Sequence, residues 1–449
     1  MNELILEVRL DSFVDPVGVL VRDAKGALAF AYTPEHAANP AALALSLSLP
    51  LSEEPYEDTP TRAFFDNLLQ ERDGVLRHVM AREGLSRDDV AGLLAHIGRD
   101  CPGAISVLPQ GATPSKIPGD LERDYEPLSD AQVEAIVQAL HERAPLPESV
   151  RDPSPLSGVQ SKIALTLLAD GRFGEPRSGS GAPTTHIIKA PDQRHKEDAA
   201  LEAAALDLCA GVGLVTAEAR ILRVGVIEVL LATRFDRGLT ADGRIARLHQ
   251  EDFAQALGLP ATLKYERNAK TALRFDARAI GGVLAQTLDP SAAREDFVRA
   301  VLFDLMIGNV DAHAKNHALL HHPGGGVSLT PRYDVIPTRL DHQLTDELAF
   351  KIGGATTLET ITGNDVEIFL DAIGVPRANQ RPLIEMHAPR MAAGLVAAFT
   401  DLDRKRMKRF ADLIAYNIEI LFGALSLAVP IAAKNRDAFI ERGGGWATS

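Results

Sequence analysis

Cysteine is almost missing from this sequence. Cys101 and Cys209 are its only two, and they are far apart with no paired spacing. Neither a disulfide framework nor a cysteine-based zinc site is suggested. Cys209 sits in an apolar helical run beginning at Ala203 and reads as a small core residue. The pattern fits the cytoplasm. Positive charge is also short: 47 Lys and Arg stand against 61 Asp and Glu, a formal net charge of −14. A phosphate backbone repels such a chain, so generic nucleic-acid coating is not expected, although composition leaves room for a small basic patch. The opening MNELILEVRLDSF carries acids and lacks a basic region followed by a long apolar run, so no secretion signal is expected. The most apolar late stretch, Ile420 to Ala433, is too short to span a bilayer and contains Pro430. It reads as a buried helix and its exit. There is no internal repeat.

What remains is an ordinary globular composition, 46% apolar and 24% charged, in a chain of 449 residues. That length exceeds one compact core and predicts two or three domains. Residues 1 to about 32 alternate in strand fashion, with Asp23-Ala24-Lys25-Gly26 as a hairpin turn. The run Leu43 to Leu51 continues the period of two up to Pro50, and Phe64-Phe65-Asp66-Asn67-Leu68-Leu69 opens a helix. A helix capped by Ser129 or Asp130 follows, with Val133, Ile136, Val137 and Leu140 as its stripe. Residues 145–155 (PLPESVRDPSP) read as a linker or mobile loop, and 174–183 (GEPRSGSGAP) as a hairpin tip. Strands are expected at Ile163 to Leu168, Thr185 to Lys189 and Ile227 to Phe235, with a helix from about Glu197 to Gly211 between the last two. From Asp289 onward the pattern is helical, interrupted by one hairpin at about 317–333. The expected fold class is α+β: a β-rich domain at 1–118, a kinase N-lobe-like region at 119–288, and a helical lobe at 289–449.

The residues that carry chemistry begin at Asp311-Ala312-His313-Ala314-Lys315-Asn316, after the apolar helix FVRAVLFDLMIGN. Phosphoryl transfer needs a base beside the attacking hydroxyl and oxygen ligands for Mg²⁺. Kinase catalytic loops place an Asp and an Asn five residues apart for those tasks, the spacing of Asp311 and Asn316. A hairpin through Pro323-Gly324-Gly325-Gly326 then returns the chain to Tyr333 and Asp334, a second carboxylate for the metal. Taken singly, these residues also fit turn and strand-end roles; the ordered set favours catalysis. Lys315 suits a γ-phosphate, while His313 reads as a structural hydrogen-bonding residue. His317, His321 and His322 are poorly spaced for a metal and read as solvated side chains. Lys189 ends a strand and can pair with phosphates or simply face solvent; Glu202 on the next helix is available to it. Ser157-Gly158-Val159-Gln160-Ser161-Lys162 is a strand-entry loop whose N–H groups can face phosphates, though it is not a Walker A loop. Thr233-Arg234-Phe235 ends a strand and can offer backbone to an adenine edge, or hold an ordinary Arg–Asp pair with Asp236.

Together THIIKAP, ATRFDR, RLHQEDFAQALGLP, IGNVDAHAKNHALL and TPRYDVIP, with LSLSLPL and FFDNLL upstream, resemble the HipA family of kinase toxins. The resemblance runs from the first strands to about residue 370. It implies a two-lobed, protein-kinase-like HipA fold. It implies ATP bound by Ser157, Gly158, Val159, Gln160, Ser161 and Lys162, by Lys189, by Thr233, Arg234 and Phe235, by His313, Ala314, Lys315 and Asn316, and by Tyr333 and Asp334. Asp311 would accept the proton, and Asn316 and Asp334 would hold Mg²⁺. Family members phosphorylate a serine of their own nucleotide loop; Pro155 stands at that position here, which leaves Ser154 and Ser157 as the flanking candidates. The implied partners are a HipB-like helix-turn-helix antitoxin, operator DNA through that complex, and an aminoacyl-tRNA synthetase, typically the glutamyl enzyme, as substrate. Two other readings remain open: a small-molecule kinase of the aminoglycoside type, and a catalytically silent co-repressor.

Overall fold

The computed structural model describes residues 2–69, 74–115, 117–150, 154–156 and 161–430. Ser157, Gly158, Val159 and Gln160, and the tail after Pro430, lie outside the described residues. The chain forms two compact units. The first comprises residues 1–200, 217–261 and 318–330, the second 201–216, 262–317 and 331–449.

The first unit opens with β1 (Leu4–Leu10), β2 (Gly18–Arg22) and β3 (Leu28–Tyr32), joined later by β4 (Ile105–Pro109) in the antiparallel order β3-β2-β1-β4. Alternate residues of β1 to β3 are buried, the period-two signature of a sheet with one face on a core. The β2–β3 turn is the expected one: Asp23 Oδ1 accepts from the N–H of Lys25 and Ala27, and Gly26 adopts φ 90°. The run at 43–51 is no strand; it forms only a bridge between Ser46 and Leu49. Its alternation has another cause. Leu45 and Leu49 enter the core, while Ser46 and Ser48 bond the 251–255 segment. Phe64 and Phe65 lie near the end of the helix Asp58–Asp66 rather than at a helix start.

The second sheet of this unit adds β5 (Tyr125–Pro127), β6 (Lys162–Leu167), β7 (Phe173–Pro176), β8 (His186–Lys189), β9 (Ala219–Val224) and β10 (Ile227–Thr233), ordered β5-β7-β6-β8-β10-β9. Since β7 and β8 flank β6 on opposite sides, the glycine-rich segment after Gly174 is a crossover and not a hairpin tip. The helix Asp130–Glu142 starts at Ser129 with a full capping box to Gln132, and its apolar stripe covers this sheet's core. The hairpin Ala318–His321/Val327–Leu329 gains a third strand, Gln250–Asp252.

Two buried polar clusters hold the first unit together. In one, three arginines meet three aspartates. Arg237 reaches Asp100 at 2.7 Å, Arg234 and Arg247 stand 3.6 Å from it, Asp236 takes Arg234 and Arg237 at 2.9 and 2.8 Å, and Asp11 takes Arg247 at 2.5 Å. In the other, the fully buried Glu251 accepts hydrogen bonds from Ser46 and the Leu47 N–H, and contacts His321 Nε2 at 2.9 Å. Burial pushes the Glu251 carboxyl up to about 7, against those hydrogen bonds, which lower it. Burial first, then neighbouring histidines, brings His249 down to about 3 and His321 to about 4.

This cluster sets a pH dependence. Folded Glu251 keeps a proton that the unfolded chain has released, so its own contribution to stability falls as pH rises through 7. Folded His249 and His321 are neutral while the unfolded imidazoles lose their last protons above about pH 6.5, a contribution of opposite sign. The histidines are common to wild type and Glu251→Gln, so the difference between the two proteins isolates Glu251. In urea melts the stability of Glu251→Gln should rise relative to wild type by roughly 1 kcal/mol between about pH 6.5 and 8; curves for variant and wild type that run parallel would refute the assignment.

The second unit is helical. Pro290–Ile307 lies at its centre, and Lys408–Ala424 packs on it, burying Leu413, Ile414, Leu421 and Phe422. The late apolar stretch from Ile420 closes this helix at Ala424, with Leu421 and Phe422 buried, and leaves it toward Pro430; residues 431–433 lie outside the described residues. Among the described residues, no helix is long and apolar enough to cross a membrane.

Candidate functional site

The loop at Asp311 is launched by the helix Pro290–Ile307, which Asp289 caps at its start and which stops at Gly308 with φ 78°. A side chain there would be strained, and its Cβ would come within 3.0 Å of Leu413 and Asn417. Beyond the glycine, Asn309 works in two directions. Its Nδ2 donates to Asp304 Oδ1 at 2.9 Å, and its Oδ1 accepts the Asp311 N–H at 3.2 Å. Arg332 Nη2 reaches both oxygens of Asp304, at 2.7 and 2.6 Å. The last turn of the helix is therefore tied to the residue just before Tyr333 and Asp334. Burial raises the Asp304 carboxyl and Arg332 opposes that shift, as expected of a buried ion pair.

Within the loop, the main-chain oxygen of Asp311 accepts from the His313 N–H at 2.7 Å and from Asn316 Nδ2 at 2.9 Å. The amide nitrogen of Asn316 is thereby engaged, and its carbonyl oxygen is the atom left to meet a cation. Tyr333 Oη donates to the Lys315 carbonyl at 2.8 Å, which brings the returning segment onto the loop. Asp334 follows in the left-handed region, φ 56°, a conformation that aspartate tolerates better than most residues and that often marks a site. Asp311 and Asp334 sense each other. Burial is the main cause that raises the Asp311 carboxyl, Asp334 adds to the rise, and a hydrogen bond from Tyr265 and the charge of Lys264 act against it.

Asp311, Asn316 and Asp334 thus lie near one another within the second unit. Asn316 and Asp334 supply hard oxygens of the kind Mg²⁺ prefers when phosphate and water complete its shell. His313 is buried, and burial, then the charge of Lys264, pushes it well below its usual range, so it is neutral. Among the described residues its buried Nδ1 has no hydrogen-bond partner, an orphan that a ligand in this loop could satisfy. His317 is not solvated, contrary to the sequence expectation: it is buried and bonds the Ala312 carbonyl at 3.1 Å. His321 and His322 bond Glu251 and Ser328. Among the described residues no group of three or more His, Cys, Asp or Glu side chains could hold a metal.

The first unit carries the other expected residues. Lys162 and Lys189 are direct cross-strand partners on β6 and β8, and both are buried. Directly opposed residues of an antiparallel pair share a face. Ser161 borders them, its carbonyl accepting the Ala190 N–H at 3.0 Å. At the end of β10, the Thr233 N–H donates to Glu218 and the Arg234 N–H to Thr185. The Arg234 guanidinium belongs to the Asp100–Asp236 cluster, so a nucleotide contact there would fall to main chain around Phe235. Ser154 is buried, with its hydroxyl donating to Asp100 Oδ2 at 2.7 Å. Glu202 is buried and belongs to the second unit, while Lys189 belongs to the first.

Three features escaped the sequence reading: Asp304 with Arg332, Lys264, and Tyr265. Arg332 stands in the quoted TPRYD run, but its partner is 28 residues upstream. Lys264 and Tyr265 lie more than 40 residues before the loop in an irregular segment, where periodicity carries no signal.

Comparison with known proteins adds a second line. Residues 154–399 match the family model described as HipA-like C-terminal domain, and residues 6–108 match HipA N-terminal domain. The first match extends past residue 370, where the motif resemblance fades. "Putative kinase Y4mE" of Sinorhizobium fredii is 31% identical over 420 residues, 92% of this chain and 98% of that protein. "Serine/threonine-protein kinase toxin HipA" of Shewanella oneidensis is 30% identical over 325 residues, 70% of this chain and 71% of that protein. A solved structure of Shewanella oneidensis HipA with HipB and operator DNA superposes with a TM-score of 0.74 at 25% identity, covering 96% of this chain and 99% of that one.

Proposed function

Since this chain belongs to the HipA family, we propose that it is an ATP- and Mg²⁺-dependent protein serine/threonine kinase, the toxin of a toxin–antitoxin module. The observation that carries the reading is the convergence of Asp311, Asn316 and Asp334 through the bonds of Asn316 to the Asp311 carbonyl and of Tyr333 to the Lys315 carbonyl. In the transfer, a serine or threonine hydroxyl gives its proton to Asp311, its oxygen bonds the γ-phosphorus, and the bond from that phosphorus to ADP breaks. Asn316 and Asp334 would hold magnesium, which neutralises phosphate charge when bound. Lys162 and Lys189 answer the phosphates, aided by N–H groups of Ser157, Gly158, Val159, Gln160 and Ser161. His313, Ala314 and Lys315 would serve the nucleotide from the Asp311 loop, and Thr233, Arg234 and Phe235 would offer backbone to adenine.

The partner in this reading is a HipB-like antitoxin, through which operator DNA is reached; a net charge of −14 suits a basic partner. A small-molecule kinase leaves residues 6–108 without a role. Of the two serines open to self-phosphorylation, Ser154 would first have to surrender its bond to Asp100, which favours Ser157. A phosphate there adds about −1.5 to −2 charges beside ATP and opposes nucleotide binding.

The test is transfer from Mg[γ-³²P]ATP to glutamyl-tRNA synthetase and to the chain itself, with and without EDTA. Serine-linked label that vanishes with EDTA is expected. Phosphate transferred to sugars or amines, with none on protein, would defeat the reading.

A further inference from the structure

The segment 264–268 lies across the catalytic loop within the second unit. The Lys264 carbonyl accepts the Ala314 N–H at 3.1 Å, which ties the segment to the loop. Its far side is tied down as well: the Glu266 N–H donates to the Ala349 carbonyl at 2.9 Å, and Glu266 Oε2 accepts the Lys351 N–H at 2.7 Å. Between these anchors stands Tyr265. The Arg267 guanidinium lies over its ring at 3.9 Å, and the His313 ring meets it edge-on at 5.0 Å. Fixed in this way, Tyr265 Oη donates to Asp311 Oδ1 at 2.5 Å. The other carboxylate oxygen, Oδ2, accepts no hydrogen bond among the described residues.

We propose that Tyr265 is a positioning residue for the base: its hydroxyl engages Oδ1 of Asp311 so that Oδ2 alone is turned to the incoming hydroxyl. This rests on the reading of Asp311 as the base. The physical argument is orientational. A carboxylate rotates about its last bond with little resistance, and a base that turns away from its proton loses much of its effectiveness. A charge-assisted bond to a ring pinned by a cation above and an imidazole at its edge removes that freedom. In the transfer the proton moves from the substrate hydroxyl to Oδ2, while Tyr265 keeps its own. It is not consumed and touches neither phosphate nor substrate.

The experiment measures ³²P transfer from Mg-ATP to dephosphorylated casein and to the chain itself, for wild type, Tyr265→Phe, Arg267→Lys and Asp311→Asn, all full-length. Tyr265→Phe should lower kcat about thirtyfold, the scale of one lost hydrogen bond to a charged group, with KM for ATP within twofold. Arg267→Lys keeps the charge but loses the flat stack, and should lower kcat about threefold; it carries the test if Tyr265→Phe does not fold. Wild-type kcat in Tyr265→Phe, with Asp311→Asn silent, would overturn the role of Tyr265 and leave the base in place. A rise in KM for ATP that accounts for the whole loss would overturn it too, because the tyrosine would then be serving the nucleotide. Undiminished transfer by Asp311→Asn would overturn the base itself, and the clamp with it.

Discussion

Asp311→Asn should reduce phosphoryl transfer on the order of 10²- to 10⁴-fold while leaving the protein at least as stable as wild type. The two halves of that result have separate causes. Asparagine has the shape of aspartate and keeps an oxygen that can accept from Tyr265 Oη. It also keeps the main-chain carbonyl that His313 and Asn316 use, so the loop has no reason to move. What disappears is the carboxylate proposed to take the proton. Burial raises the Asp311 carboxyl, with Asp334 adding to the rise, so the folded state now bears a cost for holding that charge. A neutral amide removes the cost. Loss of transfer with an unchanged or higher Tm is the signature of a base in strained electrostatics. Transfer within tenfold of wild type would remove Asp311 from the chemistry, and loss of transfer together with a falling Tm would make it a structural residue.

The neighbourhood of Asp311, Asn316 and Asp334 was legible from sequence because its parts are local. Asp311 and Asn316 stand five residues apart and a hairpin returns Asp334, all within 24 residues. The strands Lys162–Leu167, His186–Lys189 and Ile227–Thr233 were legible as short apolar runs, although their burial does not alternate. Leu43 to Leu51 does alternate with a period of two and forms no strand. Alternation there reports which side chains enter the core, and Ser46 and Ser48 answer to Glu251 and Gln255, about 205 residues later. Tyr265 is 46 residues from its partner, and Arg332 is 28 from Asp304. No periodicity joins such pairs, because only the fold makes them neighbours. The crossover after Gly174 was misread because glycine and serine declare a turn and say nothing about which strand comes next.

Asp100→Ala is expected to destabilise the first unit by about 3–5 kcal/mol. Asp100, Asp236 and Asp11 balance Arg234, Arg237 and Arg247, all buried apart from the half-buried Asp11 and Arg237. Asp100 is the only one of the three carboxylates within 4 Å of every arginine in the set. The arginines together hold its carboxyl far below the usual range, although burial, the largest single influence, acts the other way. Alanine would leave three cations facing two anions out of water. It would also strip the acceptor from Ser154 Oγ and from both the N–H and the hydroxyl of Thr184. The cause of the loss is an uncompensated charge, so it should be repairable by removing a cation. Arg237→Met alone unbalances the set the other way, whereas Asp100→Ala with Arg237→Met restores two against two. In urea melts the double variant should be less destabilised than the sum of the singles by at least about 1 kcal/mol. Simple additivity would mean that Asp100 acts through packing, and the charge account of this cluster would then be wrong. The cluster joins Asp11 at the end of the first sheet to Arg247 and to the end of β10, so its loss should also free Ser154, three residues before the loop proposed for nucleotide. Faster proteolytic cleavage near residues 151–160 in Asp100→Ala, under conditions where the rest of the chain resists, is the corresponding local readout.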